Sequence, residues 1–229
     1  MKFRTVRGWL IGVVLAGSLC VVFTFVAANG NHQSFCTSAG VCTTGHPFIP
    51  TGPGGEGVAD SYQYDARSLT GDGTLTARIS SLTGLISSGP TNRAPTLAQT
   101  RPGVAAWTKA GILLTPSTKQ GAAYAAVMAT GGRGIRFQYD YTHDQSGKPG
   151  SASPASRRWV RLTRAGDTVT GYESPDGTSW QEIGTAHLPV LPATVDVGLF
   201  VTSPITYQNG AGGIPTRATA SFDYITITG

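Results

Sequence analysis

The chain has 229 residues, of which 40% are hydrophobic and only 13% charged, with 31 glycines and 14 prolines. That length bounds one well-cored domain with extensions, and low charge with many turn-formers favours an all-β domain over a helical one. The formal net charge is +5, but three of the 17 Lys+Arg fall in residues 1–7, leaving 14 against 12 Asp+Glu, a net of +2. So small a balance gives no reason to expect nucleic acid or an anionic membrane surface as a partner.

Residues 1–7, "MKFRTVR", form a basic flank, and residues 8–28 carry no charge at all. The uncharged run matches the ~20 residues that a bilayer-spanning helix needs. It predicts one N-terminal transmembrane helix, with the N-terminus cytoplasmic and the remainder extracytoplasmic, in a single-pass cell-membrane protein. A cleavable signal peptide is the alternative, because Val26-Ala27-Ala28 offers small residues at a cleavage position, and the domain would then be secreted. Cys20 stands in no lipoprotein context.

Residues 29–57 are rich in Gly, Pro, Ser and Thr and read as an extracytoplasmic tether. Within it Cys36 and Cys42 flank the loop "CTSAGVC", and an oxidising compartment predicts a disulfide between them. Zinc is not expected, since His32 and His46 sit at no ligand spacing.

The folded domain is expected over residues 58–229. Its strand-like runs are "GTLTARISSL", "AAWTKAGILL", "AAYAAVMAT", "GIRFQYDY", "RRWVRLTR", "DTVTGYES", "SWQEIGTAHL", "TVDVGLFVTS" and "ATASFDYITIT". Their regular spacing predicts a β-sandwich, with long loops over 87–103 and 143–156. Alternate residues of a strand face opposite sides. Ile112 and Leu114, then Ile135, Phe137 and Tyr139, then Val160 and Leu162 are the expected core faces. The opposite faces hold Trp107 and Lys109, Arg136 and Gln138, and Trp159 and Arg161. Those six are the candidate ligand-binding face, where indoles stack on sugar rings and the polar groups bond hydroxyls. The plainer reading is a solvated face with cross-strand ion pairs. Parity alone leaves open whether the three strands are neighbours.

Four ordered motifs, Trp107-x-Lys109-Ala110-Gly111, Trp159-x-Arg161-Leu162-x-Arg164-x-Gly166, Tyr172-x-Ser174-x-Asp176-Gly177-x-x-Trp180 and Val197-Gly198-Leu199, run through this region. Together they resemble bacterial sandwich domains of the concanavalin A-like lectin/glucanase superfamily. The resemblance implies a jelly-roll of two antiparallel sheets. "KFRTVRGWLIG" resembles the start of actinobacterial ABC exporter permeases, some of which carry an extracytoplasmic sandwich domain after their first helix. That implies ABC transporter components as partners, although the further permease helices do not follow in this chain.

"GYESPDGTSW" comes close to the Asp-box of sialidase propellers, but one copy cannot make a propeller. Pro175-Asp176-Gly177 reads as the turn of a hairpin, with Trp180 opening the next strand. Glycosidases of the superfamily use E-x-D-x-E on one strand, and Glu56, Glu173 and Glu182, the three glutamates of the chain, stand in no such motif. His143-Asp144 are adjacent and point apart, and there is no nucleophile elbow, phosphate loop, EF-hand or cofactor motif. The expectation is a non-catalytic, membrane-tethered domain of an exporter permease-like protein that binds a ligand or partner, without metal or cofactor. An exported carbohydrate-binding module and a divergent glycoside hydrolase are the alternatives.

Overall fold

The computed structural model describes residues 62–89, 99–118, 122–139, 147–151, 158–189, 191–204, 206 and 214–229, and the backbone of three short strands before them. Those three are β1 (Phe23–Ala28), β2 (Phe35–Cys36) and β3 (Cys42–Thr43). Then come β4 (Gln63–Thr70), β5 (Gly73–Ser87), β6 (Thr100–Pro102), β7 (Lys109–Thr115), β8 (Ala125–Thr130) and β9 (Ile135–Tyr139). The series closes with β10 (Lys148–Pro149), β11 (Arg158–Ala165), β12 (Thr168–Ser174), β13 (Gln181–His187), β14 (Thr194–Thr202) and β15 (Thr216–Thr228).

Two antiparallel sheets pack face to face. The first runs β1-β15-β5-β11-β12-β13, with β6 on the end of β5, and the second runs β10-β9-β8-β7-β14-β4. The all-β, two-sheet sandwich expected from the sequence is what forms. All nine strand-like runs are strands, and β4, which the run "QYDARSLT" does not advertise, closes the second sheet beside β14.

Period-two alternation builds the core. Leu75, Ala77 and Ile79 of β5, Val160 and Leu162 of β11, Val169 of β12 and Phe222 of β15 face inward from the first sheet. Ile112, Leu114, Val127, Ile135, Phe137, Val195, Val197, Leu199 and Val201 meet them from the second. Gly171 and Gly184 lie side by side in one register row of the first sheet. A Cβ on Gly171 would lie 2.3 Å from the Phe137 ring, and one on Gly184 would lie 2.5 Å from Lys148 Cδ. Phe137 and Lys148 are themselves register partners, so a row of two glycines receives a row of two large side chains.

A buried carboxylate fastens the same end. Glu173 of β12 accepts from Ser151 N at 2.5 Å and from Ser151 Oγ at 2.7 Å, which straps the chain after β10 onto the opposite sheet. Arg164 is buried, and among the described residues it meets carbonyls rather than a carboxylate. Its guanidinium donates to the carbonyls of Gly166, Pro192 and Ala193, tying the β11–β12 turn to the approach of β14.

The N-terminal helix requires correction over its last residues. Phe23–Ala28 is extended and pairs antiparallel with β15, from Phe23 opposite Phe222 to Ala28 opposite Arg217. "FTFVAA" is rich in aromatic and β-branched residues, which suit a pleated ladder, and the edge of β15 offers unpaired backbone groups. Among the described residues no helix is long and apolar enough to cross a membrane. Residues 8–22, the rest of that expected segment, lie outside the described residues, as do residues 1–7 and most of 29–57.

Filling the row of glycines should cost stability. Gly171→Ala is expected to lower unfolding free energy by about 1–3 kcal/mol, because neither Phe137 nor Val127 can retreat from a packed core. Thr163→Ala, on the solvent side of β11, should stay within about 0.5 kcal/mol of wild type. Urea unfolding of the two variants checks the contrast.

Candidate functional site

The structure divides the six sequence-derived candidates between the two outer faces of the sandwich. Trp107, Lys109, Arg136 and Gln138 belong to the second sheet and its β7 lead-in, whereas Trp159 and Arg161 stand on β11 in the first. One patch containing all six is therefore ruled out. The physical reason is that parity fixes inward or outward but not the sheet, and β11 pairs with β5 and β12 rather than with β7 or β9.

On the first sheet, Trp159 and Arg161 are built into cross-strand bracing. Arg78, opposite Trp159, grips Asp223 through Nε–Oδ1 and Nη2–Oδ2 contacts of 2.6 Å each. Its guanidinium also lies 4.5 Å from the Tyr224 ring centroid and 5.8 Å from that of Trp159. Arg161 donates through Nε to Thr76 Oγ1 at 3.1 Å and stacks on Trp180 with Cζ 3.7 Å from the ring centroid. Further along, Thr228, Thr74, Thr163, Thr170 and Thr185 fall in one register row across five strands. This is an ordinary wet face of hydroxyls and stacked cations.

The outer face of the second sheet is unlike it. Tyr64, Phe200, Gly111, Met128 and Arg136 are register partners in sequence across β4, β14, β7, β8 and β9. The adjacent row is Ala66, Gly198, Leu113, Ala126 and Gln138. Leu113, Ala126, Met128 and Phe200 form a second apolar cluster, separate from the inter-sheet core, with half-buried Tyr62, Tyr64 and Tyr124 packed on it. Tyr62 meets Tyr64 and Phe200 edge-on, at 6.0 Å and 6.4 Å between centroids. Tyr64 donates its hydroxyl to Leu113 O at 3.2 Å. Burial, and then the neighbouring Asp196 and Tyr62, push its phenol far above the usual range, so it stays a protonated donor.

The polar end of this face holds the four remaining candidates. Lys109 Nζ donates to Gln138 Oε1 at 2.9 Å, and both side chains are almost fully buried rather than solvated. Trp107 is buried too, at 3% exposure, so its indole is no open stacking platform. It is hemmed in by cations: Lys109 Nζ lies 5.9 Å from its ring centroid, and Arg133 and Arg136 Cζ lie 5.5 Å from it. Arg136 in addition donates to Arg133 O and Gly147 O. Among the described residues, no group of three or more His, Cys, Asp or Glu is placed to hold a metal.

The sequence reading missed Tyr62, Tyr64, Leu113, Met128 and Phe200. A signal was present in the unbroken apolar runs. Ile112-Leu113-Leu114 and Leu199-Phe200-Val201 cannot all face one side of a strand, so Leu113 and Phe200 had to be buried on the other.

No protein-family model matches the chain, and no curated protein matches it in sequence. Among solved structures it is similar to a functionally unknown protein from Saccharomyces cerevisiae, at 14% identity and a TM-score of 0.44, over 90% of this chain and 87% of that one. It is also similar to basic winged bean lectin with Tn-antigen, at 13% identity and a TM-score of 0.37, over 92% and 100% of the two chains. A third is the GH43 protein BlXynB from Bacillus licheniformis, at 14% identity and a TM-score of 0.36, over 66% of this chain and 27% of that one. The chain thus spans about a quarter of that protein's length. Likenesses so distant speak to no activity.

The stretch "SPDGTSW" is a hairpin turn joining β12 to β13. Asp176 Oδ1 accepts from the backbone N–H of Ser179 and of Thr178 at 2.8 Å each, and from Ser174 Oγ at 2.9 Å. Those bonds, led by the one from Ser179, hold its carboxyl far below the usual range. A depressed folded-state pKa contributes stability above the unfolded value of about 3.9 and loses it as pH falls. Asp176→Ala is therefore expected to be less stable than wild type by a constant margin above about pH 5, with the margin shrinking below about pH 4. Urea unfolding of both proteins across that range checks it.

Proposed function

We propose that this is a non-catalytic carbohydrate-binding β-sandwich whose ligand lies on the outer face of the second sheet. The observation that carries the reading is the contrast between the two outer faces. A sheet face turned away from the core is ordinarily polar, as the threonine row of the first sheet is. The second instead carries an apolar floor of Leu113, Met128 and Phe200 under half-buried tyrosines, ending in Lys109–Gln138 and Arg136. Aromatic and apolar contact with a few fixed polar groups is the chemistry of a sugar site. From Tyr64 to Arg136 is four strand spacings, about 19 Å, so an occupant touching both ends is a chain of several sugars rather than one.

The absence of a catalytic role belongs to the same proposal. Four of the described carboxylates are engaged in holding the fold: Glu173 on Ser151, Asp223 on Arg78, Asp176 in its turn and Asp72 on Gly166 N. Service as the outer domain of an exporter permease is the second reading, carried by the N-terminal resemblance of "KFRTVRGWLIG". Placement outside the cytoplasm accords with the basic flank, the apolar segment and the cysteine pair.

Binding of oligosaccharides by the purified full chain on a glycan array tests the proposal. Tyr64→Ala with Phe200→Ala is expected to weaken any binding about tenfold or more, roughly the loss of one stacked ring. Trp159→Ala with Arg161→Ala should leave it unchanged, since those residues lie on the other face. The reverse pattern would move the site to the first sheet.

The disulfide is proposed on backbone register. Cys36 and Cys42 are directly opposed across the β2–β3 ladder. Opposed Cα atoms of an antiparallel pair lie about 4.5–5.5 Å apart, within the range a disulfide spans. Mass spectrometry of non-reduced peptides should find the two cysteines joined, and two free thiols would refute the pairing.

A further inference from the structure

The edge strand β1 closes one side of the sandwich. Its register sets Phe23, Phe25 and Ala27 opposite Phe222, Ala220 and Ala218, whose side chains are buried in the core. Thr24, Val26 and Ala28 stand opposite Ser221, Thr219 and Arg217, on the solvent side of β15. β1 also lies against β14 and β4, which belong to the other sheet, so it bridges the mouth between the two layers. Its reach ends opposite Phe222. Beyond that point β15 carries Tyr224 and Ile227, the exposed large hydrophobic residues among those described. Without its covering strand the edge of β15 is therefore apolar and unpaired, the kind that captures an extended segment.

The same six residues end the uncharged run of residues 8–28. A bilayer-spanning helix needs ~20 residues to cross ~30 Å of hydrocarbon. The run has twenty-one, and pairing six of them with β15 leaves fifteen. As a helix, fifteen residues reach about 22 Å, which does not span. We infer that Phe23–Ala28 is exchanged between two partners, the β15 edge and a lipid bilayer, and that occupancy of one excludes the other. When the bilayer takes the whole run, the covering strand leaves and the β15 edge opens from Arg217 to Thr228. When the strand is in place, the sandwich is closed and the run is too short to cross. Residues 29–62 separate β1 from β4, so β1 leaves without drawing β4 after it. The exchange is independent of what the second sheet binds.

The test uses the full chain carrying Thr24→Cys and Ser221→Cys in a Cys20→Ser background. Positions 24 and 221 are directly opposed in register, and opposed Cα atoms lie about 4.5–5.5 Å apart, within disulfide reach. The chain is oxidised in aqueous buffer or after reconstitution into phosphatidylcholine vesicles, and its non-reduced peptides are read by mass spectrometry. The link between positions 24 and 221 is expected in buffer and about tenfold or more depleted in vesicles. Val14→Arg with Leu15→Arg makes the bilayer costly for the run and should restore the link in vesicles. Hydrogen exchange of the unaltered chain gives a second readout. The β15 amides that face β1 are expected to exchange faster in vesicles, while those facing β5 keep their protection. Equal linkage in the two conditions, no linkage in either, continued loss in the arginine variant, or unchanged exchange along β15 overturns the inference. So does a mature chain that begins at Asn29, which has shed the strand altogether.

Discussion

Phe137 stands between the two sheets with its ring where a side chain on Gly171 would otherwise be, and Lys148 does the same beside Gly184. This pairing of large residues with glycines sets how closely the layers approach at one end of the sandwich. Everything else follows from that contact, because close-packed interiors leave no slack for a side chain to turn round. With Phe137 fixed inward, Arg136 and Gln138 must point outward. With Leu162 and Gly171 paired across the ladder, Arg161 and Tyr172 are likewise fixed on the solvent side.

The two outer faces then take different roles on the same pleated scaffold. The first is self-sufficient: Arg78 has Asp223, Arg161 has Thr76 and the Trp180 ring, and hydroxyl meets hydroxyl from Thr170 to Thr185. Charge and stacking there are spent on neighbours within the chain. The second face joins a hydrophobic floor to a cationic end, which is an amphipathic layout along a single register row. Tyrosine serves such a surface well, having an apolar ring and a hydroxyl that finds a partner, as Tyr64 does at Leu113 O.

Much of the fold was legible in the sequence. Alternation in "GIRFQYDY" and "RRWVRLTR" placed Phe137 and Leu162 in the core, and Pro175-Asp176-Gly177 marked a hairpin whose turn bonds the structure contains. Local pattern could not reveal which strands become neighbours, since pairing is decided by contacts far apart in sequence. That is why Trp159 and Arg161 were grouped with Trp107 and Lys109. Apolarity alone also misled at Phe23–Ala28, where the same residues that suit a lipid-facing helix suit an edge strand. Tyr64 was hidden in β4, whose polar run "QYDARSLT" shows no alternation of the usual kind. Uninterrupted runs such as Ile112-Leu113-Leu114 did announce a second buried face, and only the structure shows that they are neighbours on one sheet.

The Glu173 strap has a consequence for the entropy of recognition. Gly150 N donates to Ile135 O, Ile135 N donates to Ser151 O, and Ser151 is in turn held by Glu173 from the opposite layer. Arg136 lies inside that closed circuit of bonds, opposite Pro149. Its backbone is therefore already immobilised before any ligand arrives. Binding groups that are ordered in advance surrender less conformational freedom on association, so more of each contact formed there survives as affinity.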